Sequence, residues 1–325
     1  MSHVLDHPKS GSFTGFDARF KSVGCLFFVV GAQKSGTTWL NKYLREHANA
    51  AVPQWKENNF WNMVEGYPDP GAMLMEQKKL REEKGFFQRF KEKATMSRAD
   101  TRKQQGITLA LAAADDPNPP YSAYADLLLE NCTADTKAMG EVCPAYAFLK
   151  PATYAEMARL SDNVRFIYLM RDPVSRFISS VRHSLRNSVG ATGIDSDSLS
   201  AAIHAHLGMS ANGRRPIGHS QYHRTLANLD AAVAPENTSL IFFEEMFAQD
   251  KIEELCAFLN IPYKPGKVDR VVHRGAGGEV EVSEDDRRMI ANALAPVYDF
   301  MLARFDGNLP DKWLKSAALR NSVSG

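Results

Sequence analysis

The sequence contains few cysteines and no long apolar run. Its four cysteines are Cys25, Cys132, Cys143 and Cys256. They form no C-x-x-C pair, so we expect reduced and mostly buried thiols instead of a disulfide framework or a zinc site. The longest apolar stretches, residues 25–32 and 107–114, are far below the ~18 residues that cross a bilayer. The first residues also lack a signal-peptide core, which indicates a cytoplasmic protein without a membrane span.

The chain also lacks an excess of charge of either sign. Its 39 Lys and Arg residues and 38 Asp and Glu residues leave a net charge of +1. This balance argues against a nucleic-acid partner that binds a basic surface over the whole protein. The signatures G-x-S-x-G and H-E-x-x-H are absent as well, and their absence removes the commonest hydrolase classes. With 44% hydrophobic residues over 325 positions, the chain can bury one large core or two modest ones.

One segment, residues 26–44, has the pattern of a strand, a glycine-containing turn and a helix. Gly31 and Gly36 have the spacing of a Walker loop, but Thr37 stands where that loop needs lysine, and Lys34 lies inside the turn. Glycines let backbone N–H groups surround an anion, and a helix N-terminus adds a positive dipole end. We therefore expect a site for a 5′-phosphate that differs from an ATPase loop. A simple strand, turn and helix with a solvent-exposed lysine is the alternative.

Apolar segments alternate with helical ones along the rest of the chain. We expect further strands at residues 137–142, 164–170 and 240–243, a short apolar stretch at 50–52, and helices at 37–47, 174–186, 221–229 and 250–259. Ser283 begins a capping box that opens a last helix running toward Arg304. This alternation predicts an α/β fold with a P-loop-type parallel sheet flanked by helices on both faces.

The predicted domain organisation has three parts. Residues 1–22 are interpreted as a loose N-terminal arm, residues 23–310 as one domain and residues 311–325 as a C-terminal tail. Within the domain, residues 71–120 form a helical insertion. Between positions 76 and 103 it carries ten Lys or Arg against five Asp or Glu. This basic excess indicates either an entrance for an anionic substrate or a solvated helical face.

A second anion motif follows the apolar stretch at 164–170. Arg171 comes at the expected carboxyl end of that strand, Pro173 favours a helix start, and Ser179 follows two turns later. Ligands of open α/β sheets bind at this end of the strands, where an arginine can grip a phosphate with two hydrogen bonds. One nucleotide with two separated phosphates would satisfy both motifs. Alternatively, R-D-P-x-x-R is a capped helix with a surface salt bridge.

The segments QKSGTTWL and RDPVSRFISS together resemble the PAPS-dependent sulfotransferase family, whose donor is 3′-phosphoadenosine 5′-phosphosulfate (PAPS). The resemblance implies that the first motif binds the 5′-phosphosulfate through Lys34, Ser35, Gly36, Thr37 and Thr38. It implies that Arg171 and Ser179 bind the 3′-phosphate. Trp39 matches a tryptophan that packs on adenine, with core packing as the alternative.

A third segment, HRGAGGE at positions 273–279, is similar to the family's loop over the 3′-phosphate. His273 replaces a stronger base and Val280 replaces a tryptophan, which leaves Arg274 and Gly275 as the expected contacts. A flexible glycine-rich turn is the alternative interpretation.

The segment WKENNFW at positions 55–61 resembles the carbohydrate branch of the family, in which the glutamate is the catalytic base. The resemblance implies that Glu57 is the base and that Lys56 and Lys34 stabilise the transferred group and the leaving oxygen. A surface Lys–Glu pair is the alternative, and His183 is a second candidate base. Glu141, in GEVCPAY, is expected to border the acceptor pocket.

These observations predict an enzyme that moves a sulfuryl group from PAPS to a hydroxyl, or to an amine, of a small metabolite or carbohydrate. The second product would be 3′,5′-adenosine bisphosphate, and no metal is expected. A P-loop kinase that uses ATP and magnesium is the runner-up, and a catalytically silent nucleotide-binding module is a third possibility. The identity of the acceptor and the oligomeric state cannot be read from the sequence.

Overall fold

A parallel β-sheet forms the centre of the molecule. The structure is a computed structural model that describes residues 15–66, 98–189, 194–208, 217–267 and 280–321. Within these ranges the sheet has five strands in the order β2-β3-β1-β4-β5, and every neighbouring pair is parallel. The strands are β1 (Cys25–Gly31), β2 (Ala50–Ala51), β3 (Ala138–Val142), β4 (Val164–Met170) and β5 (Thr238–Phe242). The predicted α/β class and the parallel sheet are confirmed.

Helices connect the strands and cover both faces of the sheet. In the described ranges they are α1 (Thr37–Glu46), α2 (Phe60–Val64), α3 (Arg98–Asp115), α4 (Ser122–Leu129), α5 (Pro151–Ala158), α6 (Pro173–Val189), α7 (Ser196–Gly208), α8 (Tyr222–Asp230), α9 (Gln249–Phe258), α10 (Glu284–Ala293), α11 (Ala295–Arg304) and α12 (Asp311–Ala318). None of the helices in the described part of the chain combines the length and the apolarity that crossing a membrane requires.

Strand β1 separates two hydrophobic cores. Leu26, Phe28 and Val30 face the larger core, and Phe27 and Val29 face the smaller one, which α1 and α9 close. All these side chains are fully buried. Successive side chains of a strand point to opposite faces, so a continuous apolar run produces a strand that is buried on both sides. The unbroken apolar pattern of residues 26–30 therefore accounts for the position of this strand at the centre of the sheet.

Two segments expected to lie outside the core are packed against it. In the predicted arm, residues 18–21 form a 3₁₀ helix whose Phe20 is fully buried. In the predicted tail, α12 buries Trp313 completely, and its indole Nε1 donates a hydrogen bond to Glu244 Oε2 at 3.0 Å. Residues 311–318 thus form a short amphipathic helix that one large aromatic side chain holds on the core.

The other local predictions have mixed outcomes. The Ser283 cap is confirmed, since its side chain accepts a hydrogen bond from the backbone N–H of Asp286. The last predicted helix is instead two helices, α10 and α11, because Pro296 lies in the first turn of α11. The insertion is helical at α3, where Ala110 and Ala113 are buried. Most of its basic excess lies in residues 67–97, outside the described residues, and the domain limits remain a prediction.

Candidate active site

The carboxyl ends of the parallel strands meet at one edge of the sheet. The turn that contains Lys34 follows β1, the loop that contains Glu57 follows β2, and Arg171 follows β4 directly. The connections from β1 and β4 leave in opposite directions at this edge, which is where open α/β sheets bind ligands. The strand order therefore brings three of the predicted site elements together.

The turn after β1 has the backbone geometry of an anion cradle. Lys34 has φ 68° and Gly36 has φ 93°, both in the left-handed region. Gly36 is the N-cap of α1, and no side-chain hydrogen bond caps that helix end among the described residues. A Cβ on Gly36 would lie 2.5 Å from Met246 Sδ and 3.1 Å from Phe243 Cδ2. Glycine is thus required both by the backbone angle and by the close approach of the loop after β5.

Arg171 joins the second motif to this turn. Its Nη1 donates to the Lys34 carbonyl oxygen at 3.4 Å, and its guanidinium carbon lies 4.7 Å from the centre of the Phe243 ring. The Tyr222 hydroxyl donates to the Arg171 carbonyl at 2.6 Å and fixes the start of α6. The two sequence motifs, about 140 positions apart, are therefore in direct contact.

Lys34 lies in a cluster of cations. Burial lowers the pKa of its ammonium group, and the positive charges of Arg186, Arg171 and Lys56 lower the pKa further. Each of these charges repels the others in the absence of an anion. A bound phosphate or sulfonate would relieve this repulsion, so the electrostatics of the cluster favour an anionic ligand.

Arg176 lies beneath this cluster and is completely buried. Its Nε donates to Ser220 Oγ at 2.5 Å, and burial lowers its pKa to about 10. The alternative interpretation of R-D-P-x-x-R, a helix held by a surface salt bridge, is therefore wrong for this arginine. Its charge instead adds to the positive potential behind Lys34 and Arg171.

The carboxylate of Asp172 is occupied by structural contacts. Its Oδ2 accepts from the Ser175 N–H at 2.9 Å, and its Oδ1 accepts from the Tyr298 hydroxyl at 2.6 Å. Its own backbone N–H donates to Glu244 Oε1 at 3.0 Å. Asp172 has no solvent exposure and acts as the N-terminal cap of α6.

Beyond Arg171, a cavity of about 280 Å³ opens between α6, α10 and α12. Four cations line it together with Ser175 and Glu281: Arg171, Arg182, Arg287 and Lys312. Ser179 is half-buried and is not among the described residues that line this cavity, whereas Ser175, one turn earlier, is. The cavity extends the positive surface that starts at Lys34.

The loop after β2 brings Glu57 to the same cluster. Lys56 Nζ donates to Glu57 Oε1 at 2.5 Å, and Lys56 is close enough to Lys34 to lower its pKa. The Glu57 side chain is 45% exposed, whereas that of Lys56 is 22% exposed. The structure therefore brings the three residues expected to be catalytic into one group, with the carboxylate open to solvent.

Glu141, which was expected to border the acceptor pocket, is buried inside the protein. It is 2% exposed and lies behind the Glu57 loop, where it accepts hydrogen bonds from the Asn58 side-chain amide and from the hydroxyls of Tyr124 and Tyr146. Burial raises the pKa of Glu141 to about 7, although these three donors oppose the shift. Its carboxyl group thus supports the loop from inside the protein.

The remaining predicted binding residues have different positions. Trp39 is 7% exposed and stacks on Tyr43 at 5.5 Å, which is the core-packing alternative; its contact with adenine remains a prediction. Ser35 is buried in the turn, Thr37 is buried at the start of α1, and Thr38 is exposed on α1. Arg274 and Gly275 lie outside the described residues.

The helices α6 and α7 both carry histidines. His183 is exposed on α6, and His204 pairs with Asp286 at 2.9 Å between α7 and α10. In the ranges that the structure describes, no group of three or more His, Cys, Asp or Glu side chains forms a candidate metal site. The role of His183 as an alternative base remains a prediction.

Several residues that shape the site were not predicted from the sequence. Arg182 and Arg186 share one face of α6 with Ser175, and their spacing of four residues was a readable helical signal. Glu244 holds the backbone of Asp172, and the only signal for it was an acidic pair directly after the apolar run of β5.

The sequence and fold were compared with known proteins. A profile described as "Sulfotransferase family" matches residues 27–265. A sulfotransferase from Alicyclobacillus acidocaldarius has a TM-score of 0.57 and 21% identity, with 91% of this chain and 98% of that chain covered.

The sulfotransferase domain of the Synechococcus PCC 7002 olefin synthase has a TM-score of 0.43 and 16% identity, with 75% of this chain and 76% of that chain covered. A search of curated proteins found no match. The profile matches most of the length of this chain, and the chain therefore belongs to the sulfotransferase family.

Proposed function

We propose that this protein transfers a sulfuryl group from PAPS to a hydroxyl, or to an amine, of a small metabolite or carbohydrate. The observation that carries the proposal is the position of Lys34. It lies inside the phosphate-type turn, in contact with Arg171 and within electrostatic range of Lys56. The helix N-terminus would hold the 5′-phosphate, and a lysine that precedes it in the turn is suited to stabilise charge on the oxygen of the bond beyond that phosphate.

The residues present fit a donor with two anionic ends. The turn from Lys34 to Thr38 and the uncapped N-terminus of α1 would hold the 5′-phosphosulfate. Arg171 would hold the 3′-phosphate, and the cationic cavity next to it fits the additional negative charge. Ser179, Arg274 and Gly275 remain proposed contacts of the same phosphate, and Trp39 a proposed contact of adenine.

When bound, PAPS supplies an activated sulfuryl group attached to a phosphate leaving oxygen. Lys34 would stabilise the negative charge on that oxygen as its bond to sulfur breaks. Lys56 Nζ donates a hydrogen bond to the Glu57 carboxylate at 2.5 Å, and its charge lies within electrostatic range of Lys34. Glu57 would take the proton of the acceptor hydroxyl while the oxygen forms its bond to sulfur. The products would be the sulfated acceptor, 3′,5′-adenosine bisphosphate and a proton on Glu57.

The two competing functions have less support. A kinase of the Walker type would need a lysine at position 37 and a strand-end carboxylate for magnesium, but Asp172 uses both of its oxygens in structural hydrogen bonds. A silent nucleotide-binding module would not need Glu57 or Lys56 in the loop after β2. Both residues are present and in contact, which favours an active enzyme.

The proposal is tested by incubating the purified protein with ³⁵S-labelled PAPS and a panel of hydroxyl and amine acceptors, beside γ-labelled ATP with magnesium. We expect transfer of labelled sulfonate and no transfer of labelled phosphate. Transfer of phosphate alone would support the kinase, and binding of PAPS without transfer to any acceptor would support the silent module.

The base is tested by Glu57→Gln, which should retain the affinity for 3′,5′-adenosine bisphosphate and lose turnover. The matched control is Glu254→Gln, which removes a surface Lys–Glu pair of 2.9 Å on α9. Unchanged turnover in Glu57→Gln would assign the base to another residue, with His183 the next to substitute.

A further inference from the structure

The loop that carries Glu57 is held in an unfavourable backbone conformation. Glu57 has φ 61° and Asn59 has φ 58°, and neither is glycine. Left-handed angles are disfavoured for residues with a Cβ, so two of them in three positions require support from the surrounding structure. Because the Glu57 side chain is 45% exposed and paired with a flexible lysine, the position of its carboxylate depends on this backbone.

Asn58 connects the loop to the interior. It is 1% exposed, in contrast to its neighbour Glu57. Its Oδ1 accepts from the Phe60 backbone N–H at 3.0 Å, at the start of α2, and its Nδ2 donates to Glu141 Oε2. The Asn58 side chain lies between the two left-handed residues, and hydrogen bonds fix both the oxygen and the nitrogen of its amide group.

Glu141 is itself fixed by two tyrosines from different elements. Tyr124 on α4 and Tyr146 on the 3₁₀ helix Pro144–Phe148 both donate their hydroxyls to Glu141 Oε1. Two residues further along, the Cys143 thiol donates to Asn59 Oδ1 at 3.2 Å, which is a second tie between the end of β3 and the loop. The buried carboxylate is thus the point at which β3, α4 and the 3₁₀ helix meet the loop.

We propose that Glu141 is a positioning residue for the reaction: through Asn58 it holds the Glu57 loop in its left-handed conformation and so sets the place of the Glu57 carboxylate beside Lys56. This inference rests on the proposed function in that Glu57 is taken as the base. Glu141 is buried and acts on the reaction only through the loop. Three hydrogen-bond donors converge on it and fix both of its carboxylate oxygens, one of them against the loop through Asn58.

The first test is structural and needs no substrate. In ¹⁵N-labelled protein, the side-chain amide signal of Asn58 is assigned by its loss in Asn58→Ala. We expect this signal to exchange slowly with solvent and to shift in Glu141→Gln, because one of the two carboxylate oxygens is replaced by a donor. A signal that exchanges rapidly, or that does not move in Glu141→Gln, would overturn the anchor whatever the function of the enzyme.

The second test is a double-mutant cycle on the release of 3′,5′-adenosine bisphosphate from PAPS, with water as the acceptor. We expect Glu141→Gln and Asn58→Ala each to slow release on the order of 10- to 100-fold, the loss typical of a misplaced catalytic group. The affinity for 3′,5′-adenosine bisphosphate should be unchanged. In a Glu57→Gln background, the same substitutions should have no further effect on release.

Glu65→Gln is the matched control. Glu65, at the other end of α2, accepts hydrogen bonds from the Lys150 N–H at 2.6 Å and from Thr153 Oγ1 at 2.5 Å. The substitution Glu65→Gln should leave the release rate unchanged. The proposal would be overturned if the Glu141→Gln enzyme released 3′,5′-adenosine bisphosphate at the wild-type rate. It would also be overturned if the rate reductions caused by Glu141→Gln and Glu57→Gln multiplied in the double variant. If the wild-type protein does not bind 3′,5′-adenosine bisphosphate, the proposed function fails, and the Asn58 signal still decides the anchor.

Discussion

Lys34 shows how one residue can mark the chemistry of a site. It lies inside the turn and not after it, has a left-handed backbone angle, and is surrounded by other cations. Such an arrangement is unfavourable without a ligand, because burial and like charges both disfavour the ammonium form. A bound anion would offset this unfavourable electrostatic energy. The position of the Lys34 side chain therefore contributes to the affinity for an anionic ligand.

We predict that Lys34→Ala weakens binding of 3′,5′-adenosine bisphosphate by about 10- to 100-fold, because a hydrogen bond to a charged group is worth about 1.5–3 kcal/mol. Isothermal titration calorimetry measures the change. Lys42→Ala is the control, since Lys42 on α1 only pairs with Glu46 at 3.8 Å on the surface. Equal effects of both substitutions would show that Lys34 contributes only to the general charge.

The buried carboxyl group of Glu141 should make the stability of the protein depend on pH. Burial raises its pKa from the ordinary 4.5 to about 7. Between these values the folded protein keeps the proton while the unfolded chain releases it, so the free energy of unfolding falls as pH rises. The slope is about 1.4 kcal/mol per pH unit at most. Glu141→Gln should lack this slope, so the wild type should lose stability relative to the variant from pH 5 to pH 7.5 in urea unfolding. Parallel pH profiles would contradict the shift.

At the scale of elements, the turn between β1 and α1 depends on Gly36. An alanine there would require a left-handed angle of 93° and would bring its Cβ to 2.5 Å from Met246 Sδ. The Met246 side chain can move, so the backbone angle contributes most of the cost, about 1–2 kcal/mol. We predict that Gly36→Ala lowers the free energy of unfolding by this amount and weakens nucleotide binding. Gly66→Ala, a left-handed glycine with an open surrounding, should share the first effect only.

The sequence predicted the elements well where one short segment contains the whole signal. The apolar runs of β1 and β4 and the glycines of the first turn are local, and their strands and turn lie within one or two residues of the expected bounds. The placement of both anion motifs at one edge of the sheet also followed, because parallel strands end at the same edge, whereas the hydrogen bond between Arg171 and Lys34 was not predicted.

Features that depend on distant partners could not be predicted in the same way. The burial of Glu141 requires Tyr124, Tyr146 and Asn58 from three other segments, and no local pattern in GEVCPAY indicates it. The same holds for Arg176, whose R-D-P-x-x-R pattern fits a surface helix as well as a buried one. Trp313 was missed because an isolated tryptophan in a polar segment gives no sign of the core that receives it.

At the scale of the whole molecule, the C-terminal helix supports the site from a distance. Trp313 donates to Glu244 at 3.0 Å, and Glu244 accepts from the Asp172 N–H at 3.0 Å, next to Arg171. A chain of two hydrogen bonds thus joins residue 313 to the proposed 3′-phosphate contact.

We predict that Trp313→Ala lowers the free energy of unfolding by about 3–5 kcal/mol, as truncation of a buried aromatic residue does. In the fraction that stays folded, the affinity for 3′,5′-adenosine bisphosphate should fall as well. Leu314→Ala, at a neighbouring position that is 39% exposed, should change neither quantity measurably. Chemical denaturation and calorimetry measure both, and an unchanged nucleotide affinity in Trp313→Ala would show that the helix stabilises the fold without supporting the site.

We propose that two loops at the carboxyl edge of the sheet hold the opposite ends of one bisphosphorylated nucleotide. The most direct test of this proposal is a calorimetric titration of the purified protein with 3′,5′-adenosine bisphosphate and, separately, with ATP and magnesium. We predict saturable binding of the bisphosphate that both Lys34→Ala and Arg171→Ala weaken, and much weaker binding of ATP. Tight binding of ATP with magnesium, together with no measurable binding of the bisphosphate, would contradict the proposal.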